Sequence, residues 1–156
     1  MRVGLGFDVH AFEPGRPLVL GAVTLPGDLG LAGHSDGDVL SHAIADALLG
    51  AARLGDLGTH FPATDRWRDA SGAEILAETA RLLGDARRAV VDVDATVVAQ
   101  DIRISSHRVE MIASIARSLG IGQDLVSIKA TTTDRLGSIG RGEGIAVFAV
   151  AAVDDL

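Results

Sequence analysis

Ile145-Ala146-Val147-Phe148-Ala149-Val150-Ala151-Ala152-Val153 is apolar at every position. As a strand it carries two apolar sets: Ile145, Val147, Ala149, Ala151 and Val153 on one face, Ala146, Phe148, Val150 and Ala152 on the other. A sheet with helices on one side buries one set. The other would leave an apolar patch larger than a soluble monomer normally carries. The stretch therefore predicts a sheet whose second face is covered by other copies of the chain.

The remaining elements follow from their periodicity. Residues 3–10 alternate Val3, Leu5, Phe7 and Val9 against Gly4, Gly6, Asp8 and His10, and residues 89–100 alternate Val91, Val93, Ala95, Val97 and Ala99 against Asp92, Asp94 and Thr96. Residues 125–131 read as a strand, 18–25 as a strand or hairpin arm, and 28–33 as a loop. Ser35 is the expected N-cap of a helix, with Asp38 completing a capping box. Its apolar stripe is Leu40, Ile44, Ala47, Leu48 and Ala51, and Gly55 closes it. Two further helices are expected at 71–83 and 106–119, and two long polar loops at 54–69 and 131–144. With no repeat and no linker, residues 1–156 read as one domain. The expected fold class is α+β: a single mixed four- to five-stranded sheet with helices on one face, the sheets packed together in a homotrimer.

Composition narrows the function. The 156 residues carry a net charge of −7, 3 % aromatics and no cysteine. An acidic chain lacks the basic face that nucleic acid or an anionic membrane requires, and so few aromatics cannot build a base-stacking surface. Without cysteine there are no disulfides, thiolate nucleophiles or thiolate metal sites. No apolar run reaches membrane-spanning length and no leader is recognisable, so a cytoplasmic protein is expected.

Three constellations carry chemistry. Asp8 and His10, two apart on a strand, project to one face, and His42 is a candidate third ligand; Asp/His/His suits zinc with one position left for substrate. The alternative is an ordinary strand end. His34-Ser35-Asp36-Gly37-Asp38 opens a helix, where free N–H groups favour a phosphate; capping accounts for Ser35 and Asp38 but not for His34. Thr131-Thr132-Thr133-Asp134, followed by Gly137, Gly140, Gly142 and Gly144, suits a diphosphate with a hard cation on Asp134, or else is a Thr-rich strand end and a turn. Asp46, one turn beyond His42, either supports that ligand or is a solvated carboxylate. No protein nucleophile is evident, so any attacking group is water or part of the substrate.

Together these segments resemble the 2-C-methyl-D-erythritol 2,4-cyclodiphosphate synthase family. The resemblance rests on Gly-Phe-Asp-Val-His (6–10), His-Ser-Asp-Gly-Asp (34–38), His42, Asp-Ala-Leu-Leu-Gly-Ala (46–51), Gly-Asp-Leu-Gly (55–58) and Phe-Pro-x-Thr-Asp (61–65). It continues through Val-Ala-Gln (98–100), Lys-Ala-Thr-Thr-Thr-Asp (129–134) and Gly-Arg-Gly-Glu-Gly-Ile (140–145), and so runs the length of the chain. It implies a stand-alone lyase of non-mevalonate isoprenoid biosynthesis. The 2-phosphate of 4-diphosphocytidyl-2-C-methyl-D-erythritol 2-phosphate attacks the β-phosphorus, and CMP leaves. By the resemblance, Asp8, His10 and His42 hold zinc, and Asp134 holds a Mg or Mn ion bridging the diphosphate. His34, with Ser35 beside it, and Thr132 orient the transferring phosphoryl group.

The resemblance also implies the binding residues. Asp56 and the Gly58 backbone, with Leu57 between them, hold the ribose. Phe61, Pro62, Ala63, Thr64 and Asp65 cover the methylerythritol phosphate. Ala99, Gln100, Asp101, Ile102, Arg103, Ile104 and Ser105 cradle cytosine, and Thr131, Thr132 and Thr133 close the nucleotide pocket. The family is a homotrimer with each site between neighbouring subunits. The chain departs from the pattern in having Asp134 where Glu is usual, Arg103 for Lys, Asp101-Ile102 in the nucleotide loop and Ala63 for a polar residue. Arg141 belongs with the ligand-binding residues; Ser138 replaces the Phe that usually lines an apolar axial tunnel with it.

Overall fold

The computed structural model describes residues 1–156. Along the chain lie β1 (Arg2–Pro14), the hairpin β2 (Leu18–Leu20) and β3 (Val23–Leu25), β4 (Leu29–Leu31), helix α1 (Val39–Ala52) and the single turn α2 (Leu57–His60). After them come α3 (Gly72–Asp85), β5 (Arg88–Val98), α4 (Arg108–Leu119), β6 (Val126–Thr131), the single turn α5 (Gly137–Gly140) and β7 (Gly144–Asp155). Five strands form one mixed sheet in the order β4-β1-β7-β5-β6. Only β5 and β6 run parallel, joined by a crossover through α4; the other pairs are antiparallel.

Helices α1, α3 and α4 cover one face of the sheet. The inward set of β7 is Ile145, Val147, Ala149, Ala151 and Val153, all fully buried. Beside it lie Val93, Ala95 and Val97 of β5 and Val126 and Ile128 of β6, also buried. The inward residues of the inner part of β1 are not bulky: Gly4 and Gly6 let the backbone of α1 lie directly on the strand. A Cβ on Gly6 would run into the Ala43 carbonyl, and one on Gly4 into the Ala47 carbonyl. That close approach brings His42 of α1 over Asp8 and His10.

The other face is bare. Val3 and Leu5 are 65 % and 67 % exposed, and Phe7, Val9, Phe148 and Val150 stand out beside them. The Phe7 and Phe148 rings pack against each other at a tilt, with a centroid distance of 4.8 Å. The apolar surface ends toward β6, where Lys129 pairs with Asp94 at 2.5 Å.

The single mixed sheet with helices on one face agrees with the expectation; several local assignments do not. Residues 28–33 contain β4, which pairs with the outer end of β1 (Phe12 with Leu31). Residues 18–25 are a hairpin turning at Gly21-Ala22, both at positive φ. The N-cap of α1 is Asp38, not Ser35. The buried Asp38 carboxylate accepts from the Ser41 backbone and hydroxyl and from the Gly21 and Ala22 amides at 2.6–3.0 Å, tying the hairpin turn to the helix. The long loops also carry the one-turn helices α2 and α5.

Candidate active site

Strand alternation turns Asp8 and His10 toward α1, and His42, in the first turn of that helix, meets them. His10 Nε2 lies 2.8 Å and His42 Nδ1 3.1 Å from Asp8 Oδ2, and the two nitrogens are 3.3 Å apart. A tetrahedral zinc with ligands at about 2.0–2.1 Å keeps donor atoms about 3.3 Å apart. Fitting the ion needs outward shifts of at most about 0.5 Å, within ordinary side-chain adjustment.

The distal ring atoms are committed elsewhere. His10 Nδ1 donates to the Ala32 carbonyl, which can only accept. His42 Nε2 is 3.0 Å from Ser35 Oγ. Each ring thus offers its other nitrogen to the shared point, the outer-shell arrangement that orients metal-ligating histidines. The site residues fit a divalent metal.

Burial raises the Asp8 carboxyl, but hydrogen bonds from His10 and His42 outweigh it and hold its pKa at about 2. Burial lowers the His10 imidazole, and the bonds to Asp8 and Ala32 outweigh that and raise it. Without a cation, a proton on His10 occupies the place between ring and carboxylate.

A pH dependence follows for chelator-treated protein. Asp8 is depressed, so its contribution is present above pH about 4 and is lost as pH falls toward 2; His10 is raised, so its contribution is complete below pH about 6.5 and is lost as pH climbs through the folded value. Stability should peak between about pH 4 and 6.5, with Asp8 contributing about 2 kcal/mol. Urea unfolding across pH with excess chelator checks this, and a profile rising beyond pH 7 is the contrary result. With zinc present the alkaline fall should disappear, because the metal replaces the proton.

Around the triad a cavity is lined by Asp8, His10, His34, Ser35, His42, Leu57, Phe61, Ala63, Trp67 and Ile75. His34 Nε2 donates to the Thr64 carbonyl at 2.7 Å, leaving Nδ1 for a ligand. Asp46 is neither a partner of His42 nor free: it accepts from the Leu57 amide at 3.0 Å and so fixes the start of α2. Trp67, edge-on to Phe61 at 4.8 Å, and Ile75 were not among the residues expected here. Trp67 hides in a loop without periodicity, and Ile75 belongs to the apolar stripe of α3.

A second cavity lies at the ends of β5 and β6 and the start of α4. It is lined by Ala99, Gln100, Ile102, Arg103, Ile104, Ser105, Arg108, Ala130, Thr131 and Thr132. Ala130 and Arg108 are additions to the expected set. The two cavities share no residue.

The remaining expected residues lie outside both linings. Asp56 caps α2 through the Thr59 hydroxyl and amide, which hold its carboxyl below the usual range. Gly58 lies within α2, Pro62 beside Phe61, and Asp65 pairs with Arg68. Asp101 faces Arg135 at 3.7 Å, and Arg141 pairs with Glu143 at 2.6 Å. Thr133 donates to the Leu136 carbonyl. Asp134, at φ 50°, lies near the Thr132 hydroxyl and is not part of the Asp8/His10/His42 cluster.

The YgbB family model matches residues 1–154. The chain belongs to the YgbB family. It is 51 % identical over 155 residues to the 2-C-methyl-D-erythritol 2,4-cyclodiphosphate synthase of Desulfatibacillum aliphaticivorans, covering 99 % of this chain and 100 % of that one. It is equally similar to the synthase of Salinibacter ruber, over 98 % of both chains. Among solved structures it resembles the bifunctional IspDF of Campylobacter jejuni (TM-score 0.95, 38 % identity), matching with 99 % of its own length only 42 % of that longer chain. It also resembles IspF of Plasmodium falciparum in complex with CDP (TM-score 0.86, 32 % identity, 99 % and 96 % of the two chains). No helix of this YgbB-family chain is long and apolar enough to cross a membrane.

Proposed function

We propose that this chain converts 4-diphosphocytidyl-2-C-methyl-D-erythritol 2-phosphate into 2-C-methyl-D-erythritol 2,4-cyclodiphosphate and CMP, a step of non-mevalonate isoprenoid biosynthesis in the cytoplasm. The observation that carries this is the Asp8/His10/His42 cluster at the floor of a cavity, in a chain half identical to named synthases along its whole length. An oxygen of the 2-phosphate attacks the β-phosphorus. The bond from that phosphorus to the bridging oxygen breaks, and CMP departs with the α-phosphate. The nucleophile is the substrate's own, which agrees with a chain lacking cysteine.

Catalysis is then positioning and charge neutralisation. Asp8, His10 and His42 would hold zinc, which would supply Lewis acidity toward a phosphoryl oxygen. His34 presents Nδ1 to the transferring group, and Ser35 keeps His42 in the ligand orientation. The apolar wall of Leu57, Phe61 and Ala63 faces the methyl-bearing skeleton, while Pro62, Thr64 and Asp65 complete that loop. Asp56 and Gly58 take the ribose. Residues 99–105 and Thr131 to Thr133 take the cytosine, Thr132 also steadying the phosphoryl group. Asp134 would hold a Mg or Mn ion, which would neutralise charge on the diphosphate. Arg141 is assigned to ligand binding near the molecular axis.

Two separate cavities must serve one substrate. Joining the triad of one subunit to the nucleotide cavity of its neighbour resolves this, and the bare apolar face of β1 and β7 provides the contact. This supports the homotrimer that the family resemblance implies, with sites between subunits. Val150→Asp, on that outward face, should lower the trimer fraction and activity together in sedimentation equilibrium and turnover assays. Val147→Asp, on the buried face, should instead prevent folding. A fully active Val150→Asp monomer rejects this assembly.

Incubating the proposed substrate with the protein, with and without chelator, tests the reaction by phosphorus NMR. Cyclic diphosphate plus CMP is expected, abolished by chelation and restored by zinc. Linear phosphates plus CMP would identify a hydrolase using water, and nucleotide binding without turnover a non-catalytic module.

A further inference from the structure

We infer that Arg16, which lines neither cavity, is a positioning residue for this reaction, clamping the segment that carries His34 and Ser35; the inference rests on the function proposed above. Arg16 lies in the turn between β1 and β2. Its Nη1 donates to the Gly33 carbonyl at 2.7 Å and its Nη2 to the Ser35 carbonyl at 2.6 Å. These bonds grip the chain on both sides of His34. From the other side the Asp69 amide donates to the His34 carbonyl, and the Asp36 amide to the Ala70 carbonyl, each at 3.0 Å. Residues 33–36 are thus held like a short strand between a guanidinium and the segment leading to α3.

The base of the clamp is itself fixed. Gly30 of β4 packs so closely on the Arg16 and Pro17 carbonyls that a Cβ there would collide with both. Arg16 also lies near Glu13, but at 3.4 Å that contact is longer than either carbonyl bond. Charge-assisted bonds are the stronger kind, and only a planar guanidinium holds two acceptors with parallel donors; an ammonium is a point charge.

What the clamp controls is catalytic. The backbone on each side of His34 sets the direction of its imidazole, whose Nε2 is spent on the Thr64 carbonyl. The same segment places Ser35 Oγ 3.0 Å from His42 Nε2. Misplacing a positioned group by about 1 Å can cost about a hundredfold in rate.

The test compares wild type, Arg16→Ala and Arg16→Lys as full-length zinc-loaded protein. Arg16→Ala should lose about ten- to a hundredfold in kcat, with KM and CMP affinity changed little, because Arg16 lies outside the nucleotide cavity. Millimolar guanidinium ion should restore part of that kcat, whereas urea, of the same shape without the charge, should not. Arg16→Lys should fall between, holding one carbonyl at a time. Hydrogen exchange at the Asp36 and Asp69 amides should quicken in Arg16→Ala, a readout independent of turnover. Unchanged kcat, or a parallel loss of melting temperature and CMP affinity without guanidinium rescue, overturns the inference. If Arg16→Ala does not fold, a wild-type kcat in Arg16→Lys overturns it. If wild type makes no cyclic diphosphate, the proposed function fails, and unaltered exchange in Arg16→Ala would separately remove the clamp.

Discussion

Asp8→Asn is expected to abolish zinc binding and turnover while the protein stays folded. One oxygen, Asp8 Oδ2, faces both imidazoles, at 2.8 and 3.1 Å. An amide in its place is uncharged and presents either a weak oxygen donor or an NH2 group that cannot ligate. The metal then loses its one anionic protein ligand. Disturbing an outer-shell partner already costs roughly ten- to a hundredfold in affinity, so loss of this ligand should take zinc below stoichiometric detection after dialysis. Turnover should fall by about a thousandfold or more, since the charge stabilisation it supplies is several kcal/mol. The fold should survive, because the 33-residue apolar core lies between sheet and helices and does not depend on the site. Circular dichroism and metal analysis of the same sample decide it. A variant retaining wild-type activity, or one that unfolds, contradicts this account.

Gly6→Ala should be strongly destabilising. The added Cβ would overlap the Ala43 carbonyl and lie 2.7 Å from the Ala47 amide nitrogen, both rigid helix backbone. Strand β1 is paired along its length to β7, so the strain falls on α1, which must lift away from the sheet. Overpacking typically costs 1–3 kcal/mol, and a clash against backbone on both partners should cost about 3–5 kcal/mol. The same lift carries His42 away from Asp8, so any folded protein should also bind zinc weakly. Gly50→Ala is the control: it lies in the same helix with nothing within 4 Å of an added Cβ, and should stabilise by about 0.5–1 kcal/mol. Urea titration of both variants, with zinc content measured alongside, checks the contrast.

Much of the site was readable one residue at a time. Asp8 and His10 share a face because a strand alternates, and Ile145–Val153 announces two apolar faces by the same rule. Ser71 and Glu74 form the capping box that their spacing predicts, with the Ser71 hydroxyl and the Glu74 carboxylate each reaching the other's backbone. The analogous pair Ser35 and Asp38 does not. A serine ahead of a helix looks the same whether it caps the helix or reaches sideways, and here Ser35 Oγ goes to His42 while Asp38 takes the cap. The extension of the sheet by β4 was equally hidden, since Leu29-Gly30-Leu31 has no alternation long enough to register and becomes a strand only because Phe12–Pro14 is there to pair with it.

Local periodicity therefore determined the long strands, the main helices, the two apolar faces of β7 and the face shared by Asp8 and His10, since each depends on neighbours a few residues apart. Tertiary structure decided the rest. It put the glycines of β1 inward and its valine, leucine and phenylalanine outward, because a helix backbone can approach the strand only where side chains are missing. It set His42 against Asp8 across 34 positions of chain, sent Arg16 to the carbonyls of Gly33 and Ser35, and kept the two cavities apart. Those pairings join residues far apart in the chain, and their geometry exists only once the sheet has formed and α1 has docked on it.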